Sequence, residues 1–205
     1  MARMRGRKVA TSRREGVNLH LKGGRYENMD FGGEKPPGVH GDRRPRQTDY
    51  GVHLREKQKC KRWYGVLERQ FRRYFDQALA MPGNTGQNLL IVLESRLDNV
   101  VYRLGFSPTR AMARQMIVHC HVMVDGKRVS VPSWPVKAGA TITFSPRESS
   151  QKLAKTGLDA PKTDFMPSWL QRNDSPLGGV VVARPTREEV PIAIKEQLIV
   201  EFCSK

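Results

Sequence analysis

Arg110 and Arg114 stand one helical turn apart, just after Ser107-Pro108, a pair suited to opening a helix. The Ser107 hydroxyl can accept from a free backbone N–H as N-cap, and Pro108 at the first helical position has no N–H needing a partner. Two cations in the first turns oppose the helix dipole, so something outside the helix must compensate them, and a phosphate would do so. Beyond the helix, His119 and His121 bracket a turn. The local sequence supplies no further ligands for a metal, whereas imidazole offers RNA a hydrogen bond and a flat face. The chemistry on offer is recognition of a polyanion.

The elements that must position these residues follow from periodicity. Leu89, Leu90, Leu93, Leu97, Val100, Val101 and Leu104 keep helical spacing and end at Gly105, which suits the residue after a helix. Asp125-Gly126, carrying Lys127 and Arg128 behind it, lies between alternating apolar residues and predicts a two-residue hairpin. Thr141 to Phe144 predicts a further strand. Helix, helix, hairpin and strand make a small α+β module of about fifty residues. Upstream, Asp49 to Met81 reads as helical, with Tyr64, Leu67, Phe71, Tyr74, Phe75 and Ala78 on one face and Arg62, Arg69 and Arg73 away from it. Lys57, Lys59 and Lys61 crowd the preceding turns, and Glu56, Glu68 and Asp76 look too few to offset them, so a polyanion-facing surface is expected. Pro82 to Gly86 reads as an interdomain hinge. Residues 146–168 read as a loosely packed connector and Val180 to Ala183 as a strand. Ile192 to Phe202 reads as a helix, with a strand as the alternative because Ile199 and Val200 are β-branched.

The 205 residues carry a formal charge of +16, which favours nucleic acid or an anionic membrane as partner. No apolar run is long enough to span a bilayer, and the Arg-rich start lacks a signal-peptide core and is soon interrupted by acids, against a transit peptide. Residues 1–145 hold 27 basic and 12 acidic residues, against 9 and 8 in 146–205, so the binding face belongs mostly to the first 145. Residues 1–48 carry eight glycines and twelve basic residues without apolar period; this arm should be mobile alone and ordered on RNA. Cys60, Cys120 and Cys203 form no local pair, which fits a reducing, cytosolic compartment and neither zinc nor disulfides.

Arg96-Leu97-Asp98-Asn99-Val100-Val101-Tyr102-Arg103-Leu104-Gly105-Phe106, followed by Thr109-Arg110-Ala111-Met112-Ala113-Arg114-Gln115, resembles the S-four RNA-binding domain. The runs from Gly38 to Arg46, Asp49 to Lys59, Tyr64 to Phe71 and Glu196 to Phe202 extend the resemblance to the ribosomal protein S-four family over nearly the whole chain. That resemblance implies an α+β fold: a mostly helical domain with an inserted α+β RNA-binding module of two helices plus short antiparallel strands, and a basic N-terminal extension. The expected division is 1–48 for the extension, 49–86 for the helical domain completed by about 186–205, and 87–185 for the inserted domain, with its core module at 94–145. It implies early binding to small-subunit ribosomal RNA, neighbouring small-subunit ribosomal proteins on the module's exposed surface, and a place near the channel by which messenger RNA enters, where Arg43, Arg44 and Arg46 would touch it. Some family members hold a zinc with four cysteines in this arm; here there are none, so no metal, cofactor or small-molecule substrate is expected.

Arg-Leu-Asp also occurs in pseudouridine synthases that carry this module, but the sixty residues after 145 leave no room for their catalytic domain. A free RNA chaperone built on the module would not need the arm, the 49–81 helices or the matching C-terminus. The expectation is a non-enzymatic, cytoplasmic, ribosome-associated protein with no catalytic residue. Its RNA-binding residues are expected at Arg3, Arg13, Arg14, Lys22, Arg43, Arg44, Arg46, Tyr50, Arg55, Lys57, Lys59, Lys61, Arg62, Arg69, Arg73, Arg110, Arg114, Gln115, His119, His121, Lys127 and Arg128.

Overall fold

A computed structural model of the chain describes residues 6–23, 35–41, 48–161 and 166–204. Along them run α1 (Lys8–Glu15), α2 (Asp49–Trp63), α3 (Glu68–Leu79), α4 (Thr85–Glu94), α5 (Leu97–Arg103), α6 (Arg110–Val118), β1 (Val122–Val124), β2 (Lys127–Arg128), β3 (Thr141–Phe144), α7 (Glu148–Leu158), β4 (Leu170–Asp174), β5 (Leu177–Val181) and α8 (Glu196–Cys203). Two compact units result, one from Met1–Lys22, Tyr26–Leu89 and Ile192–Lys205, the other from Gly23–Arg25 and Leu90–Pro191. The fold is α+β, and the division falls within α4 rather than at Pro82–Gly86.

The first unit is helical. Thr48 opens α2 by accepting the Gly51 N–H at 3.2 Å, and the helix gives way before Gly65, whose φ of +64° a side-chain-bearing residue would resist. The single helical stretch expected over 49–81 is therefore two helices, and Tyr64 and Leu67 lie in the turn between them. Phe71, Tyr74, Phe75 and Ala78 of α3 are buried as their spacing requires. Asn84 accepts the Gly86 N–H at 2.9 Å, while the Asn88 amide donates to the carbonyls of Met81 and Pro82, so the segment read as a hinge is a bonded helix–helix turn. The C-terminal segment is helical from Glu196, which settles its ambiguity, and α8 packs on α2 with Phe202 5.3 Å from the Tyr50 ring. The described part of the arm carries elements that its composition did not suggest. These are α1 and a fully buried Leu19, whose burial stabilises by roughly 1.5–3 kcal/mol.

The second unit packs helices on a five-stranded antiparallel sheet of order β2-β1-β3-β5-β4. The helix expected to run from Leu89 to Leu104 breaks at Arg96, which is extended. The first N–H groups of α5, on Leu97 and Asp98, donate to the carbonyls of Trp134 at 2.9 Å and Pro132 at 3.0 Å. Gly105, at φ +83°, ends that turn. The cap of α6 is Thr109, not Ser107: Thr109 Oγ1 accepts the Met112 N–H at 3.2 Å, while the Ser107 hydroxyl donates to the Thr109 carbonyl at 2.8 Å. Asp125 and Gly126, at φ +49° and +75°, make the expected tight hairpin. The connector expected over 146–168 instead contains α7, which turns Ser150, Ala154 and Gly157 inward. The late strand is Leu177–Val181 and pairs with β4, which periodicity did not reveal.

Candidate nucleic-acid interface

Asp98 sits at the start of α5, almost wholly buried, and holds two guanidinium groups. Arg96 Nε donates to its Oδ1 at 2.9 Å, and Arg114 Nη1 to its Oδ2 at 3.3 Å. One residue on, Asn99 accepts from Arg110 Nε at 2.8 Å, and the Arg110 guanidinium lies 4.3 Å from the centre of the Tyr102 ring. The Asn99 amide in turn donates to Glu94 Oε2 at 2.6 Å, and Glu94 takes a forked pair of bonds from Arg103 at 3.1 and 2.9 Å. Four cations are thus set in place by two acids and one amide spread over residues 94–114. The compensation expected for Arg110 and Arg114 comes from inside the protein, from α5, so both are packing residues as well as cations. Arg96 and Arg103 are buried within the cluster, whereas Arg110 and Arg114 stay part-exposed, as fixed planar groups of the kind that suits phosphate.

Around that cluster, the solvent face of α6 is Ala111, Gln115, Val118 and His119, with Arg110 and Arg114 half-covered on its flank. Cys120 at φ +60° makes the turn that sets the rings of His119 and His121 6.2 Å apart. His121 Nδ1 lies 2.9 Å from the Ser150 hydroxyl of α7. Burial, together with His119 and Arg147 nearby, holds the His121 ring below the usual imidazole pKa. Lys127 and Arg128 are exposed on β2. Exposed Lys137, Arg147, Lys152, Lys155 and Arg184 were not singled out by sequence; lying outside periodic or motif segments, they gave no signal beyond their charge.

In the first unit the cations are held differently. Glu15 of α1, its side chain fully buried, pairs with Arg62 and with Arg55 at 3.4 Å. Burial pushes the Glu15 carboxyl above the usual range, against the pull of Arg62, Arg55, Lys59 and Arg14. Glu68 takes Lys57 and, at 3.2 Å, Lys61; Glu56 takes Lys59 at 2.5 Å. Burial opposes ionisation of Glu68 too, but the bonds and charge of Lys57 and Lys61 outweigh it and hold its carboxyl below the usual range. The expectation that too few acids offset α2 is corrected: the acids come from α1 and α3 as well as from α2 itself. Lys57, moreover, is buried, and its ammonium lies 4.9 Å from the Phe202 ring.

Among the described residues, Arg69 and Arg73 of α3 stand exposed with no ion pair, and Arg72 reaches Glu68 only at 3.5 Å. Arg13 donates to the Lys35 carbonyl at 3.1 Å, while Arg14 and Lys22 are exposed. Arg3, Arg43, Arg44 and Arg46 lie outside the described residues. Within the described residues no three or more His, Cys, Asp or Glu are grouped to hold a metal ion, and no helix is long and apolar enough to cross a membrane.

Residues 3–94 match the family model for the ribosomal protein S4/S9 N-terminal domain, and residues 95–142 match that for the S4 domain. Over the full length of both chains, the sequence is 46% identical to small ribosomal subunit protein uS4 of Halothermothrix orenii. It is 48% identical to that of Marinobacter nauticus and 45% identical to that of Shewanella violacea, again over the whole of each chain.

Proposed function

The chain belongs to the family of small ribosomal subunit protein uS4, and from that premise we propose that it is a structural constituent of the small ribosomal subunit that binds the ribosomal RNA directly, as a primary assembly protein. It is not an enzyme: its relatives are named as ribosomal proteins. It works in the cytoplasm on the ribosome, beside other small-subunit proteins. The observation that carries direct RNA binding is the guanidinium cluster of α5 and α6, in which Arg110 and Arg114 are oriented before any ligand arrives. Phosphates meeting oriented forks pay less ordering entropy than phosphates meeting flexible lysines.

The finer reading adds three elements: nucleation of assembly on a ribosomal RNA junction, a place near the channel by which messenger RNA enters, with Arg43, Arg44 and Arg46 against the messenger, and through it an influence on decoding accuracy. The net charge of +16 and its concentration before residue 146 support the first two. The test is binding to protein-free small-subunit ribosomal RNA across salt concentrations. The affinity should fall steeply, with a log–log slope near 0.7–0.9 per phosphate contacted. A salt-independent affinity, or binding that requires other subunit proteins first, would refute the primary-binder role. For the messenger, crosslinking from position 43, 44 or 46 in assembled subunits should capture the incoming strand, and failure there would remove that part alone.

A further inference from the structure

We propose that Trp134 is a stacking platform for a base of the bound RNA; this rests on the RNA-binding reading above and deepens it. Of the three tryptophans, Trp63 and Trp169 are each 3% exposed, whereas Trp134 is 46% exposed. Its exposure is not that of a loose loop tip. The Trp134 carbonyl accepts the Leu97 N–H at 2.9 Å, its own N–H donates to the Val131 carbonyl at 3.1 Å, and the Val136 N–H donates to the Ser95 carbonyl at 2.8 Å. Arg96 and Pro135 add a β-bridge. The backbone is tied on both sides of the indole, so a large flat apolar surface is held toward solvent with little ordering left to do on binding.

What covers it follows from its surroundings. Residues 126–147 contain no Asp or Glu, but carry Lys127, Arg128, Lys137 and Arg147, all exposed. The loop also caps α5 at Leu97 and Asp98, and Asp98 holds Arg114. An exposed aromatic ring in a stretch of chain that carries cations, between Asp125 and Glu148, suits a nucleic-acid strand, with phosphates on the cations and an unstacked base on the ring. Near it in sequence the one other large exposed apolar side chain is Val131, at 39%.

The test uses the full chain and protein-free small-subunit ribosomal RNA. Trp134→Ala should weaken binding by roughly tenfold or more while leaving the salt slope unchanged, because a stacked base and not a phosphate is lost. Trp134→Phe should keep most of the affinity; Trp134→Leu, with apolar bulk but no π face, should behave like Trp134→Ala. In the parent, acrylamide should quench Trp134 fluorescence in the free protein and lose access on RNA. If Trp134→Ala melts below the assay temperature, the Phe and Leu variants and the quenching decide. Equal binding of Trp134→Leu and Trp134→Phe, or unchanged quenching on RNA, would overturn the proposal, and Trp134 would then be assigned to a protein neighbour. A parent that fails to bind overturns the RNA reading itself, whereas a parent that binds no better than Trp134→Ala overturns this inference alone.

Discussion

The two units of the chain hold their cations by opposite means. In the second, Arg96, Arg103, Arg110 and Arg114 are set by Glu94, Asp98 and Asn99, all within twenty-one residues and mostly out of water. In the first, Arg55, Arg62, Lys57 and Lys61 of α2 are met by acids from other helices, Glu15 of α1 and Glu68 of α3, and most of these pairs reach solvent. A buried network has a single geometry and is costly to break, whereas half-exposed pairs can separate and rehydrate. The second unit is therefore built to present cations in a fixed pattern, while in the first the same kind of residue mainly joins helices. On α3 there, Arg69 and Arg73 are exposed and form no ion pair among the described residues.

The sharpest way to break that contrast is Glu94→Ala, which strips a buried carboxylate from Arg103 and Asn99 and should cost about 3–5 kcal/mol in a urea or thermal unfolding measurement. A loss below about 1 kcal/mol would mean that the network is not what holds α5 in place. Next is the double change Arg110→Ala with Arg114→Ala. Because both side chains are bonded to α5, it should lower stability by about 2–3 kcal/mol as well as weaken RNA binding. From the sequence alone, folding would survive this change, since removing cations relieves the helix dipole. The bonds to Asn99 and Asp98 reverse the expectation for stability.

Smaller effects separate Glu68 from Glu15 by sign. The folded Glu68 carboxyl titrates below its unfolded value, so its contribution is present above the ordinary carboxylate range and is lost as pH falls through and below it. The folded Glu15 titrates above its unfolded value, so its contribution is largest in acid and shrinks as pH rises through the ordinary range. From pH 3 to pH 7 the stability of the parent relative to Glu68→Gln should therefore rise, and that relative to Glu15→Gln should fall; the same trend in both would show that one acid has been misread. Least visible in a melt are Arg69→Ala and Arg73→Ala, expected within about 0.5 kcal/mol of the parent. If they touch phosphate, each should still reduce the salt slope of RNA binding by nearly one.

How much of this was readable in advance depended on range. The Asp125-Gly126 hairpin, the buried face of α3 and the helix ending at Gly105 rest on neighbours a few residues apart, and they stand as expected. The α7 helix hid because its buried face is Ser150, Ala154 and Gly157, residues too small to mark an apolar period. Gly157 is needed there: a Cβ at that position would meet the Phe106 carbonyl oxygen at 1.9 Å. The β4 strand hid behind Gln171, Arg172, Asn173 and Asp174, whose pairing partners are Val180, Gly179, Gly178 and Leu177. At the site, the arginines were found by motif, yet their partners were not. Neither Asp98 nor Asn99 is marked by the motif as a partner of arginine, because a carboxylate's role is set by what folds against it, and Glu15 meets Arg62 across 47 residues of chain.

The most direct test of the central claim, that internal acids orient the arginines for RNA, is Asp98→Asn in the full chain. The change removes a negative charge beside the interface, so electrostatic attraction alone would tighten binding to protein-free small-subunit ribosomal RNA. Positioning predicts the opposite: with Arg96 and Arg114 released, affinity should fall by at least about fivefold, roughly 1 kcal/mol, at a temperature where a melt shows the variant folded. Binding as tight as the parent's, or tighter, would contradict the account.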